Sequence, residues 1–139
     1  MKSAIITGAS VGIGQSAAQL FIDDGFVVYN LSRRASPVPG VINISCDLAS
    51  PESINDAITA LLPSVESSAS VALVHNASQM RKDSALDCDN RYLREVLETN
   101  VVAINSLNQG LLSAMPATSS LIYIGSTLSE KAVAGSFSY

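Results

Sequence analysis

Thr7-Gly8-Ala9-Ser10-Val11-Gly12-Ile13-Gly14 is the stretch that decides the fold. Before it, residues 2–7 form an apolar run that reads as a short buried strand. After it, residues 13–24 read as a helix with Ala17, Ala18, Leu20 and Phe21 facing inward. A glycine-rich turn between a strand and a helix lets backbone close on a ligand. A side chain at Gly12 or Gly14 would obstruct that approach or spoil helix–strand packing. Free N–H groups and the helix dipole then favour a negative charge at the turn, such as a dinucleotide pyrophosphate. The alternative reading is an ordinary glycine-rich turn.

Further along, apolar runs alternate with helical patterns. Residues 26–31 form a second strand, and a Pro/Ser loop from Ala35 to Gly40 leads to a third, Val41 to Ser45. Ser50-Pro51-Glu52 has the chemistry of a helix start: a hydroxyl cap, Pro in the first turn and an acid at the positive end of the dipole. That helix is expected to run to about Leu62 and to stop at Pro63. Val71 to Val74 is the fourth strand, a long helix is expected from about Asn90 to Met115, and Leu121 to Gly125 is the fifth strand. Strands separated by helices of this length predict an α/β fold: one Rossmann-type, doubly wound parallel sheet with helices on both faces. Residues 1–139 are expected to form a single dinucleotide-binding domain.

Hydrophobic residues make up 47% of the chain and charged residues only 14%, which is the composition of a packed globular protein. The net charge of −4 argues against general binding to nucleic acid or to an anionic membrane, since both require a basic face. No apolar run reaches the ~20 residues of a membrane span. Cys46 and Cys88 lack metal-ligand spacing, so no metal site is expected. Two free thiols without an export signal fit a reducing cytoplasm.

The pattern T-G-x-x-x-G-x-G resembles the signature of the short-chain dehydrogenase/reductase family. Further matches follow in order: Asp47-Leu48 after the third strand, Asn76-Ala77 after the fourth, Asn100 in the long helix, Ser126 after the fifth, and Tyr139. The resemblance implies an oxidoreductase that interconverts a carbonyl and an alcohol by hydride transfer, with a small-molecule substrate. It implies that Ser126 orients the substrate oxygen, Tyr139 is the acid/base and Asn100 helps hold a water relay. It places Gly8, Ser10, Gly12, Ile13 and Gly14 around the pyrophosphate, Asp47 and Leu48 near the adenine, and Asn76 and Ala77 under the ribose. The family usually reads N-N-A-G where this chain reads His75-Asn76-Ala77-Ser78. His75, the only histidine, is expected to be structural.

An NAD enzyme usually carries an acid at the end of the second strand to accept from the ribose 2′-hydroxyl. Ser32 stands at that position, followed by Arg33 and Arg34. No carboxylate repels a 2′-phosphate there, and a charge-assisted hydrogen bond from Arg33 of ~1.5–3 kcal/mol would give roughly a 10- to 150-fold preference. NADP(H) is therefore the expected cofactor, with NAD(H) possible. Arg34 is the weaker candidate and is expected to face water.

The family's active site continues Y-x-x-x-K, and the helix, last strands and substrate-covering loop of the family also lie beyond Tyr139. The sequence is therefore expected to be the N-terminal portion of a longer polypeptide, an incomplete domain inactive by itself. A homodimer or homotetramer is expected from the resemblance. The competing function is a non-catalytic module that binds a dinucleotide or a partner without turnover.

Overall fold

The computed structural model describes residues 1–139. Five strands run parallel: β1 (Lys2–Thr7), β2 (Val27–Ser32), β3 (Ile42–Ser45), β4 (Ser70–His75) and β5 (Ser120–Tyr123). Their spatial order is β3-β2-β1-β4-β5. The chain therefore moves outward in one direction from β1 to β3, then returns to the other side of β1 for β4. That reversal leaves a crevice at the carboxyl ends of β1 and β4, where open α/β sheets bind ligands.

β1 is central and hydrogen-bonds to both neighbours, with Ile5 opposite Tyr29 and Leu73. Its alternation feeds two cores. Ile5 joins Leu31, Leu73, Leu61 and Leu107 on one face, under helices α2 (Pro51–Glu66) and α4 (Ala103–Leu111). Ala4 and Ile6 join Val28, Val74 and Ala18 on the other face, under α1 (Gly12–Asp23). The doubly wound sheet read from the sequence is thus the observed one. β5 is an edge strand, and its Ile122 and Tyr123 are exposed, as is Ile124 just after it. No helix is long and apolar enough to cross a membrane.

Three local readings need correction. Leu20 does not face inward: α1 buries Gly14 and Ala18 and half-buries Phe21, a stripe at helical spacing that leaves Leu20 69% exposed on the opposite side. Pro63 does not end α2, which runs on to Glu66. The turn beyond it is held by the fully buried Val65 and by Ser64, whose Oγ bonds Tyr29 Oη at 2.8 Å and whose carbonyl accepts from Ser68 Oγ at 2.7 Å. Tertiary packing outweighs the one helical hydrogen bond that proline removes. The long helix is not uniform either. α3 (Asn90–Leu97) passes into a π turn at Glu98–Val102 before α4 begins, and a 3₁₀ turn closes it at Leu112–Ala114. The capping expectation at Ser50 holds, since its side chain accepts from Ser53 N–H at 3.3 Å.

Candidate functional site

The carboxyl ends of all five strands open into one cleft of about 1080 Å³. Its wall includes Gly8, Ser10 and Ile13 from the glycine loop, Ser32, Arg33 and Arg34 after β2, and Asp47 and Leu48 after β3. Asn76 and Ala77 come from the end of β4, and Ser126 and Tyr139 from the segment after β5. Asn100 is absent from this wall but lines an adjoining cavity of about 310 Å³, together with Ser126 and Tyr139.

The glycine loop is built by close approach. A Cβ on Gly14 would lie 2.3 Å from Gly8 O and 2.4 Å from Asn76 Nδ2, so only glycine lets the first turn of α1 pack on the loop. Gly12 has φ +60° and nothing within 4 Å of where a Cβ would stand; neither it nor Gly14 is among the residues that line the cleft. The two glycines thus do different work, one for packing and one for backbone conformation.

α1 starts without a cap. Its N-cap residue is Val11, which has no side-chain acceptor, whereas Ser50 and Asp89 cap α2 and α3. First-turn N–H groups at Ile13 and Gly14 are therefore unclaimed by a cap and sit at the positive end of the dipole. Uncapped donors, an open glycine face and an extended cleft fit a dinucleotide pyrophosphate.

Several residues expected to touch a ligand are spent on bracing. Asn76 Nδ2 donates to Thr7 O and Gly8 O, both at 3.1 Å. Thr7 Oγ1 accepts from the N–H groups of Asn76 and Ala77, both at 3.0 Å. Thr7 is thus the joint between β1 and the β4 loop; its place at the strand end before Gly8 was the sequence signal for it. Asn100 sits in the π turn, where its Oδ1 accepts from Gln79 N–H at 2.7 Å and its Nδ2 donates to Gln79 O at 2.8 Å. The amide clamps the loop that follows Ala77. π turns often occur at functional sites.

Asp47 Oδ1 accepts from Ala49 N–H at 3.0 Å, and Asp47 N–H donates to Ser53 Oγ at 3.0 Å, which fixes the β3 end at the start of α2. Arg33 and Arg34 are exposed and neither guanidinium has an ion-pair partner, for the chain's two ion pairs are Lys2–Asp24 and Arg81–Glu95. Buried Cys46 lines the same cleft, and burial pushes its thiol up, with Ser53 opposing. His75 is buried at the end of β4, stacked on Tyr123, with Nε2 2.9 Å from Asn108 Oδ1. Burial pushes its pKa down, and the Asn108 contact only partly opposes this. The ring also lines the cavity shared with Asn100, Ser126 and Tyr139, and its Nδ1 is buried without a hydrogen-bond partner.

Beyond β5, Ser126 Oγ accepts from Leu128 N–H at 3.1 Å. One lone pair is committed, and the hydroxyl proton stays available to the cleft. Tyr139 is 40% exposed. The segment before it is tied to the β4 loop, a contact the sequence did not reveal. Asp83 N–H donates to Gly135 O at 3.0 Å, and Ser138 N–H donates to Asp83 Oδ1 at 3.1 Å.

A family model described as short chain dehydrogenase matches residues 2–139. A farnesol dehydrogenase from Aedes aegypti is 31% identical over 94% of this chain, and the chain spans 59% of that protein's length. Two solved structures share the fold at a TM-score of 0.87 each. One is a 4-hydroxyisoleucine dehydrogenase complexed with NADH (21% identity; 100% of this chain, 62% of that one). The other is a metagenomic short-chain oxidoreductase in complex with NADP (22% identity; 99% of this chain, 67% of that one). Sequence match, strand order and glycine loop agree: the chain belongs to the short-chain dehydrogenase/reductase family.

Proposed function

We propose that this chain carries the cofactor site and the reacting hydroxyls of an NADP(H)-dependent carbonyl reductase or alcohol dehydrogenase. The family is one of oxidoreductases that bind nicotinamide dinucleotides; the choice of NADP(H), the residue roles and the reaction are this proposal. One observation carries it most. Ser126, with its oxygen accepting from Leu128 N–H, and Tyr139 line the same cleft as the open glycine loop.

A bound reduced nicotinamide supplies the hydride. Ser126 Oγ–H donates to the carbonyl oxygen and holds it beside Tyr139. Tyr139 Oη–H hands its proton to that oxygen as charge develops, and takes one back in the reverse direction. The uncapped N–H groups at Ile13 and Gly14, with Gly8, Ser10 and Gly12, hold the pyrophosphate. Asp47 and Leu48 flank the adenine, Asn76 and Ala77 lie under the ribose, and Asn100 holds the floor through Gln79. Free Arg33 beside Ser32 favours the 2′-phosphate. Arg34, equally exposed, is the second cation there.

A cavity of about 340 Å³ lined by Leu128, Val133 and Phe137 abuts Tyr139 and suits an apolar substrate body. The name of the 31%-identical relative makes a long apolar alcohol or its aldehyde the first class to assay. The proposal extends to a cytoplasmic homo-oligomer formed through the α3–α4 helix.

The test is NADPH oxidation by the full-length protein with apolar aldehydes. Tyr139→Phe is expected to lose at least ~100-fold in kcat, the lower range for removing a general acid, with NADPH affinity unchanged. A fully active Tyr139→Phe protein refutes the role of Tyr139. NADPH binding without turnover on any carbonyl supports the non-catalytic module instead.

A further inference from the structure

We propose that Asn30 and Asn43 form an amide pair that sets which nicotinamide cofactor the site accepts, with Asn30 as the positioning residue for the Ser32–Arg34 turn. The inference rests on the reading of Arg33 as the partner of a 2′-phosphate.

Asn30 stands in the middle of β2, between Tyr29 and Leu31, and is fully buried. A buried amide is costly unless its polar atoms are paired. Here they are. Oδ1 accepts from Ala9 N–H at 2.9 Å. Nδ2 donates to Arg34 O at 3.0 Å and to Asn43 Oδ1 at 2.9 Å. Asn43, opposite it in β3, uses the same oxygen to accept from Ser36 N–H at 2.7 Å.

These bonds join two parts of the cleft. Ala9 belongs to the glycine loop, which serves any dinucleotide. Arg34 and Ser36 belong to the turn that meets only the adenosine end. Arg34 is gripped at both backbone polar atoms, its carbonyl by Asn30 and its N–H by Ser32 Oγ at 3.4 Å. Arg33 lies between Ser32 and this grip, so its backbone direction is fixed while its guanidinium stays free. A cation on a fixed turn loses less conformational freedom on meeting a phosphate than one on a loose turn. The pair therefore contributes to selection without touching the cofactor. An aliphatic side chain would fill this apolar strand equally well, but it could not hold the turn at a set distance from the loop.

The two members separate general from selective effects. Asn30 also holds the glycine loop; Asn43 bonds Asn30, Ser36 and, through its own Nδ2 at 3.5 Å, Val41 O, none of them in that loop, and it is exposed on the edge strand β3. The test measures dissociation constants for NADPH and NADH by titration calorimetry on the full-length protein, with Arg33→Ala, Asn43→Ala and Asn30→Leu. Asn43→Ala is expected to weaken NADPH by about fivefold to tenfold, the worth of one to two hydrogen bonds, and to leave NADH within about twofold. Asn30→Leu is expected to weaken both; Asn43→Ala carries the test whether or not Asn30→Leu folds. If Arg33→Ala weakens NADPH and Asn43→Ala does not, the positioning role is overturned and the cofactor reading stands. Equal loss of both cofactors in Asn43→Ala also overturns it. If Arg33→Ala changes neither affinity, the cofactor reading fails and this inference fails with it.

Discussion

Gly14→Ala tests the packing of the glycine loop. The added methyl would stand 2.3 Å from Gly8 O, 2.4 Å from Asn76 Nδ2 and 2.9 Å from Gly8 C. Carbon and oxygen in contact need more than 3 Å, so two backbone atoms and a braced amide must move by most of an ångström. Alanine in a helix interior gains about 0.5–1 kcal/mol over glycine. Against this stands an overpacking cost of about 1–3 kcal/mol. Displacing Asn76 adds the loss of its bonds to Thr7 O and Gly8 O, at about 1 kcal/mol each. The balance is a net loss of about 2–4 kcal/mol. Urea unfolding of the full-length protein, wild type against Gly14→Ala, reads it directly, and NADPH affinity should fall in parallel because Gly8 is displaced. Gly12→Ala is the control: it meets no neighbour, so its cost comes only from its left-handed backbone, about 1–2 kcal/mol. A Gly14→Ala protein as stable as wild type, with unchanged NADPH affinity, would refute the packing argument.

His75 links stability to pH. Its folded pKa lies below the usual 6.5, so the unfolded chain takes up the proton first. This contribution is whole above pH 6.5 and is lost as pH falls from there toward the folded pKa, at no more than about 1.4 kcal/mol per pH unit. His75→Asn should flatten the urea midpoint between pH 6.5 and 5; an unchanged slope would assign it to other groups. Asn100→Leu strands Gln79 N–H and Gln79 O in a half-buried loop. It is expected to cost about 2–3 kcal/mol and to weaken NADPH and NADH equally, whereas Asn100→Asp, which keeps the acceptor for Gln79 N–H, should recover part of the loss. Equal stability of Asn100→Leu and wild type would show that the clamp carries no energy.

The fold was legible where local chemistry and global arrangement agree. β1, the glycine loop and α1 follow from spacing alone, and Ser50-Pro51 marks a helix start because capping is a contact within four residues. The misreadings have a common cause. Pro63 is a local stop signal overruled by Val65 and Ser64 packing on distant strands. The π turn inserts its extra residue without altering composition, so a helical pattern from Asn90 onward reads as uniform. Leu20 is apolar yet outward, and nothing nearby distinguishes it from Phe21. Within the site, residue types were legible but their employment was not. Asn76 and Asn100 are recognisable as site amides, while their bonds to Gly8 and Gln79 depend on partners far along the chain. Asn30, a polar residue in an apolar strand, signals that it needs a partner but not that the partners are Ala9, Arg34 and Asn43.

The employment itself has a logic. Thr7, Asn30 and Asn100 close their side-chain hydrogen bonds within the chain, and Asn76 does so with its amide nitrogen. The groups left free are the first-turn N–H groups of α1, the Arg33 and Arg34 guanidiniums, the Ser126 hydroxyl proton and Tyr139. Ile13 of that first turn, Arg33, Arg34, Ser126 and Tyr139 line one cleft, carried by the segments that follow β1, β2 and β5. The backbone that carries these groups is braced when the chain folds, so less binding energy is spent on ordering it. Loosening a brace should therefore weaken binding without removing any contact. Replacing a free donor should remove one contact and leave the rest in place. That contrast separates Asn43→Ala and Asn100→Leu from Arg33→Ala and Tyr139→Phe. On the proposed reading, the attraction for a polyanion lies in oriented dipoles and two unpaired guanidiniums, not in the −4 of the whole chain.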